Sequence, residues 1–86
     1  MDLIINFKDR GKVELQLKRG GVLTDSLTFD FEANLDSVLI AGVDKIFKRN
    51  RIESLSLKTV KVAGNVTKDS SAYKIAQTFI EAIKSR

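Results

Sequence analysis

Apolar and polar residues alternate through the first third of the chain with period two. Leu3, Ile5 and Phe7 share one strand face, with Ile4 and Asn6 on the other. Lys8-Asp9-Arg10-Gly11 reads as a polar turn with the glycine that hairpins favour. Val13, Leu15 and Leu17 then interleave with Lys12, Glu14, Gln16 and Lys18, the mark of a half-buried strand. Arg19-Gly20-Gly21 makes a second tight turn, and Leu27, Phe29 and Phe31 alternate with Ser26, Thr28 and Asp30 in a third strand. Short turns between alternating strands predict an antiparallel meander with one apolar face.

The period then changes. Leu35, Val38, Leu39, Val43, Ile46 and Phe47 fall at helical spacing, with Gly42 on the same stripe. Asn34 is a suitable N-cap and Asp36 lies in the first turn, where the helix dipole favours an acid. Lys45, Lys48 and Arg49 crowd the other end. Asn50 is expected to take the left-handed conformation beyond a helix of about Leu35 to Arg49, with Ile52 packing back onto the last turn. Thr59 to Ala63 reads as a fourth strand ended by Gly64 and Asn65. Thr67 to Ser71 is a polar loop before a second helix carrying Ala72, Ile75, Ala76, Phe79, Ile80 and Ile83, capped by Asp69 or Ser70 and closed by Lys84 and Arg86.

The order is β-β-β-α-β-α, an α+β domain spanning residues 1–86 without linker, repeat or proline. A right-handed crossover sets the fourth strand parallel to a neighbour. The meander already pairs strand two with strands one and three, so the open neighbour is strand one and the expected order is 3-2-1-4. The residues opposite the apolar face are Lys12, Glu14, Gln16, Lys18, Thr28, Asp30, Thr59 and Lys61. One sheet face is therefore polar, and both helices belong on the other, in a two-layer sandwich.

Composition narrows the chemistry more than it names it. Hydrophobic residues are 43% of the 86 and charged residues 30%, the balance of a folded globular domain. There is no cysteine, which excludes disulfides and thiolate metal sites, and no histidine, the commonest general base. The net charge of +4 is mild, with 11 acidic residues interspersed among 15 basic ones. The longest apolar run, Val38 to Gly42, is far too short for a membrane span, and Met1 to Asn6 lacks the basic and apolar regions of a signal peptide. A cytoplasmic protein without a membrane partner is expected.

Few residues suggest a site. Lys45, Lys48, Arg49 and Arg51 form the densest basic cluster. It would suit a phosphate or nucleic acid, or else compensates the helix dipole, and no aromatic residue is interleaved to stack bases. Gly64 to Ser71 precedes a helix, so its amides, with Ser70 and Ser71, could hold a phosphate, yet it matches neither the dinucleotide nor the P-loop pattern. Its plainer reading is a loop and an N-cap. Ser70 and Ser71 have no base partner for nucleophilic catalysis. Tyr73, the one tyrosine, would anchor a partner if exposed, or cover a core edge if not.

Three meander strands, a helix, a parallel strand and a helix resemble the opening half of the ribonuclease H-like fold, also used in each lobe of actin-like ATPases. Within that group the chain is similar to the N-terminal part of the bacterial TsaB-type proteins of tRNA threonylcarbamoyladenosine synthesis. Asn34-Leu35-Asp36-Ser37-Val38-Leu39-Ile40-Ala41-Gly42-Val43-Asp44-Lys45-Ile46-Phe47 resembles their helix of the form N-L-L-P-x-I-D-x-L-L. Leu55-Ser56-Leu57-Lys58-Thr59-Val60-Lys61-Val62-Ala63-Gly64 follows their L-x-L-K-D-L-x-x-I-x-V-x-x-G. The departures fall on working residues. The family's Asp-Thr-Ser at the end of the first strand is Asn6-Phe7-Lys8 here, and its G-P-G-S-F-T-G-L-R loop is replaced by Gly64 to Lys74. The resemblance covers only the first lobe of such proteins, which build their nucleotide cleft between two, so no such cleft is expected within these residues. A nuclease of the related type needs carboxylates converging on two metal ions, and Asn6, Gly64 and Asn65 stand where two of these would be. Asp36 and Asp44, on the first helix, read as a dipole-matching acid and a solvated one.

The expectation is a non-catalytic protein-interaction module without cofactor or metal, docking by its helical layer or an unpaired sheet edge onto another protein or a second copy. The resemblance implies the same role, because TsaB-type proteins act by pairing with a catalytic subunit. The alternative is a weak nucleic-acid or phosphate binder using the basic end of the first helix.

Overall fold

The computed structural model describes residues 1–8, 11–32, 34–53, 57–64, 66–67 and 69–84, Lys84 by its backbone alone. The expectations placed on Asp9, Arg10, Leu55, Ser56, Asn65, Lys68 and Arg86 lie outside them. The elements are β1 (Asp2–Lys8), β2 (Lys12–Arg19), β3 (Val22–Asp30), α1 (Leu35–Asn50), β4 (Thr59–Gly64) and α2 (Ser71–Lys84). The sheet order is β3-β2-β1-β4, with β4 parallel to β1 and the other pairs antiparallel. The α+β layout and strand order read from the sequence are those observed.

Register explains the core. Leu3 lies opposite Leu17 and Val60, and Ile5 opposite Leu15 and Val62, so the odd residues of β1 meet an apolar neighbour on each side. Leu3, Ile5, Phe7, Val13, Leu15 and Leu17 are buried beneath Leu35, Leu39, Val43 and Ile46 of α1 and Ala76, Ile80 and Ile83 of α2. The opposite sheet face carries Ile4, Asn6, Glu14, Gln16 and Lys61. Hydrophobic burial on one face alone thus fixes both the layering and the register.

Two details of α1 differ from the sequence reading. The helix runs through Asn50, and the left-handed residue is Arg51 (φ 55°, ψ 46°). The Arg51 N–H donates to Lys48 O and the Ile52 N–H to Phe47 O, a Schellman closure one residue later than expected. The cause is the Asn50 side chain, whose Nδ2 donates to Ile46 O and to Asp25 Oδ2, both at 2.7 Å, holding this residue inside the helix. Ile52 is partly buried against the core, as expected. At the other end Asn34 occupies the N-cap position, but its Oδ1 turns back to accept from the Glu32 N–H (3.1 Å) and makes no cap bond.

Candidate functional site

Three regions bear on function. The first is the carboxyl end of β1 and β4. Asn6 lies opposite Glu14, and its Nδ2 donates to Glu14 Oε1 (3.4 Å). Gln16 Nε2 also donates to that oxygen (2.8 Å), and Lys8 Nζ lies 3.6 Å from it. Glu14 is thereby committed to its neighbours on the sheet. Gly64, opposite Phe7, has φ +93°, and a Cβ there would collide with Phe7 O and Asn6 Oδ1. Among the described residues no three His, Cys, Asp or Glu side chains gather as metal ligands would.

At the start of α2, Ser70 is the cap. Its Oγ accepts from the Tyr73 N–H (3.1 Å) and donates to Thr67 O (2.8 Å), which settles the choice between Asp69 and Ser70. Ser71 is the exposed first helical residue. Tyr73 is half-buried, and its hydroxyl accepts from Gln77 Nε2 (3.0 Å). The hydroxyl that would have held a phosphate is spent on the helix.

The second region is the basic end of α1, and here pairing divides the cluster. Arg49 forks onto Asp25 of β3, Nε to Oδ2 at 2.7 Å and Nη2 to Oδ1 at 2.5 Å. That guanidinium, with Asn50 and the Ser26 N–H, lowers the Asp25 carboxyl to a pKa of about 2, and Asp25 in turn raises that of Arg49. Lys48 pairs with Asp44 one turn back (3.0 Å). Lys45 and Arg51 have no ion pair among the described residues. α1 begins after β3, at the carboxyl end of β1, and ends beside Asp25, which faces Leu17 near the amino end. The basic cluster therefore lies at the opposite end of the molecule from Ser70, Ser71 and Tyr73, and the two sets do not form one site.

The third region escaped the sequence reading. Ile40 is 60% exposed in the middle of α1. It joins Ile75, Phe79 and Ala82 of α2 in a groove of about 330 Å³, with Asp36 and Thr78 on its rim. Along the helices the groove continues past Ile40 and Phe79 to Phe47, with Asp44 on its rim. Both helices spend their other faces on the sheet, so this seam is the apolar surface left over. The run Val38 to Gly42 held the clue. With Val43 it makes six successive apolar residues, more than one buried helical stripe can absorb, and at 100° per residue Ile40 falls off the face defined by Leu35, Leu39 and Ile46.

No protein-family model, curated protein or solved structure matches the chain. Among the described residues no helix is long and apolar enough to cross a membrane.

Proposed function

We propose that the chain is a non-catalytic protein-interaction module that docks by the apolar groove between α1 and α2. The observation that carries this reading is Ile40, a large aliphatic side chain left 60% exposed over a floor of Ile75 and Phe79. Desolvating such a surface favours association, and a seam between two helices accepts a third.

The rim narrows the choice of occupant. Asp36 and Asp44 stand one turn to either side of Ile40 and line the two parts of the groove. Pairing α1 with its own copy about Ile40 sets Asp36 against Asp44 in the antiparallel arrangement, and each against itself in the parallel one. Acid meets acid either way, a cost that the Asp44–Lys48 pair reduces but that a different chain need not bear at all. The occupant is therefore a helix of another protein, bearing an apolar anchor flanked by basic residues. The resemblance to TsaB-type proteins supports the same role, a partner to the tRNA threonylcarbamoyladenosine machinery, and a cytoplasmic location goes with it. The nucleic-acid reading is weaker, because two of its four cations, Lys48 and Arg49, already hold carboxylates.

The test uses two synthetic amphipathic helices with the same leucine stripe, one flanked by lysines and one by glutamates, each titrated into the labelled protein. The lysine peptide is expected to shift the NMR signals of Ile40, Ile75 and Phe79, and Ile40→Glu to abolish the response. Equal binding of both peptides would overturn the reading. So would a concentration-dependent dimer that Ile40→Glu dissolves, which makes a second copy the occupant. Salt-dependent RNA binding lost on changing Lys45 and Arg51 would favour the alternative.

A further inference from the structure

β3 is nine residues long, stands at the edge of the sheet, and contains no lysine, arginine or proline, the residues that usually blunt an exposed edge. The other edge strand, β4, has six residues and carries Lys61. By this measure β3 is the exposed liability of the fold, with Val22 (68%) and Leu23 (51%) open to solvent near its start.

Hydrogen-bond alternation shows which groups point outward. The Phe31 N–H donates to Gly11 O (2.7 Å), one step beyond the Lys12–Asp30 pair. In an antiparallel ladder bonded and non-bonded pairs alternate, so Phe29, Leu27 and Asp25 exchange bonds with β2, while Ser26, Thr28 and Asp30 turn theirs to the open side. At Ser26 both outward groups are already occupied. Its N–H donates to Asp25 Oδ1 (2.8 Å), and its carbonyl accepts from Arg49 Nη2 (3.1 Å). The same Arg49 forks onto both oxygens of Asp25, and Asn50 Nδ2 also donates to Oδ2. On one side of Ser26 the register jumps from Leu17–Asp25 to Lys18–Leu23, a bulge that leaves Thr24 without a partner. On the other side only Thr28 and Asp30 remain.

We infer that the Asp25–Arg49 fork, backed by Asn50, is an edge guard that keeps β3 from pairing with β3 of a second copy of this chain. The end of a helix closes a strand that its own side chains leave open. A fork suits this place because guanidinium holds spaced donors in one rigid plane, Nε and Nη2 for the carboxylate and Nη2 again for the Ser26 carbonyl, whereas an ammonium offers its three donors from a single nitrogen on a flexible stem.

The experiment measures mass by light scattering across a concentration series for the wild type, Arg49→Met, and Arg49→Met combined with Thr28→Pro, each checked for fold by circular dichroism. Thr28 turns its N–H outward, so proline there removes no bond within the chain but blocks an incoming strand. Arg49→Met is expected to associate as concentration rises and the double variant to return to the wild-type mass. Arg49→Lys keeps a cation at the helix end without the fork and is expected to associate as well, which leaves a test standing if Arg49→Met unfolds. A folded Arg49→Met or Arg49→Lys protein that keeps the wild-type mass at every concentration overturns the inference. Association that Thr28→Pro does not suppress overturns it too, because β3 is then not the surface involved.

Discussion

Gly42 and Gly64 both lie where a methyl group would collide, but the atoms they would meet differ in freedom to move. At Gly42 a Cβ would come within 2.6 Å of Phe29 Cε2 and 2.8 Å of Leu15 Cδ1, both tips of side chains. Phe29 is only partly buried and can turn, while alanine recovers about 1 kcal/mol of helix propensity over glycine. Gly42→Ala should therefore lose no more than about 1–2 kcal/mol, the overpacking cost less the propensity gain. At Gly64 the obstacle is the backbone of Phe7, and the positive φ adds strain for any side chain. Gly64→Ala should lose roughly 2–3 kcal/mol, toward the upper end of local backbone strain. Urea unfolding of the two variants checks the ranking, and a smaller loss at Gly64 would contradict it. Arg51 presents the reverse case. Its left-handed φ of 55° costs an ordinary residue about 1 kcal/mol, so Arg51→Gly should raise stability by a similar amount.

Between elements, the contact of α1 with β3 through Arg49 and Asp25 has its own pH signature. The Asp25 pKa of about 2 lies below the ordinary carboxylate value, so its stabilisation is fully present above about pH 4 and is lost as pH falls toward 2. Arg49 is exposed and Asp25 partly so, so the loss is small and should shrink further in salt. Thermal melts from pH 5 to pH 2 should show a steeper fall for the wild type than for Asp25→Asn. Equal slopes would mean that the fork contributes nothing to stability. This contact also marks where sequence reasoning stopped. Period-two alternation revealed β1, β2, the strand order and β3 from Ser26 onward, because one buried face imposes it residue by residue. The start of β3, Val22 to Asp25, spans the bulge and escaped that reading. Alternation carried back from Leu27 puts Asp25 on the helical face, but Asp25 and Arg49 are 24 residues apart, and nothing local predicts that the end of α1 brings a guanidinium to that carboxylate. Asn50 suited a left-handed C′ as an asparagine, but its bond to Asp25 moved that role to Arg51.

Across the whole molecule, the unread feature is the difference between the two surfaces of the helical layer. Hydrophobic spacing located the stripe that meets the sheet, and Leu39, wholly buried, belongs to it. It could not assign Ile40, because a second apolar face has meaning only once α2 is seen beside α1 with Ile75 and Phe79 facing the same seam. These adjacent residues should therefore respond in opposite ways. Leu39→Ala opens a cavity between the layers and should lose roughly 2–5 kcal/mol. Ile40→Glu alters a surface already largely in water, so stability should stay within about 0.5 kcal/mol of wild type. Binding of the lysine-flanked helix should reverse that order, surviving in whatever fraction of Leu39→Ala remains folded and vanishing in fully folded Ile40→Glu. If Ile40→Glu instead destabilised the chain as much as Leu39→Ala, the seam would belong to the core and the docking surface would have to be sought elsewhere.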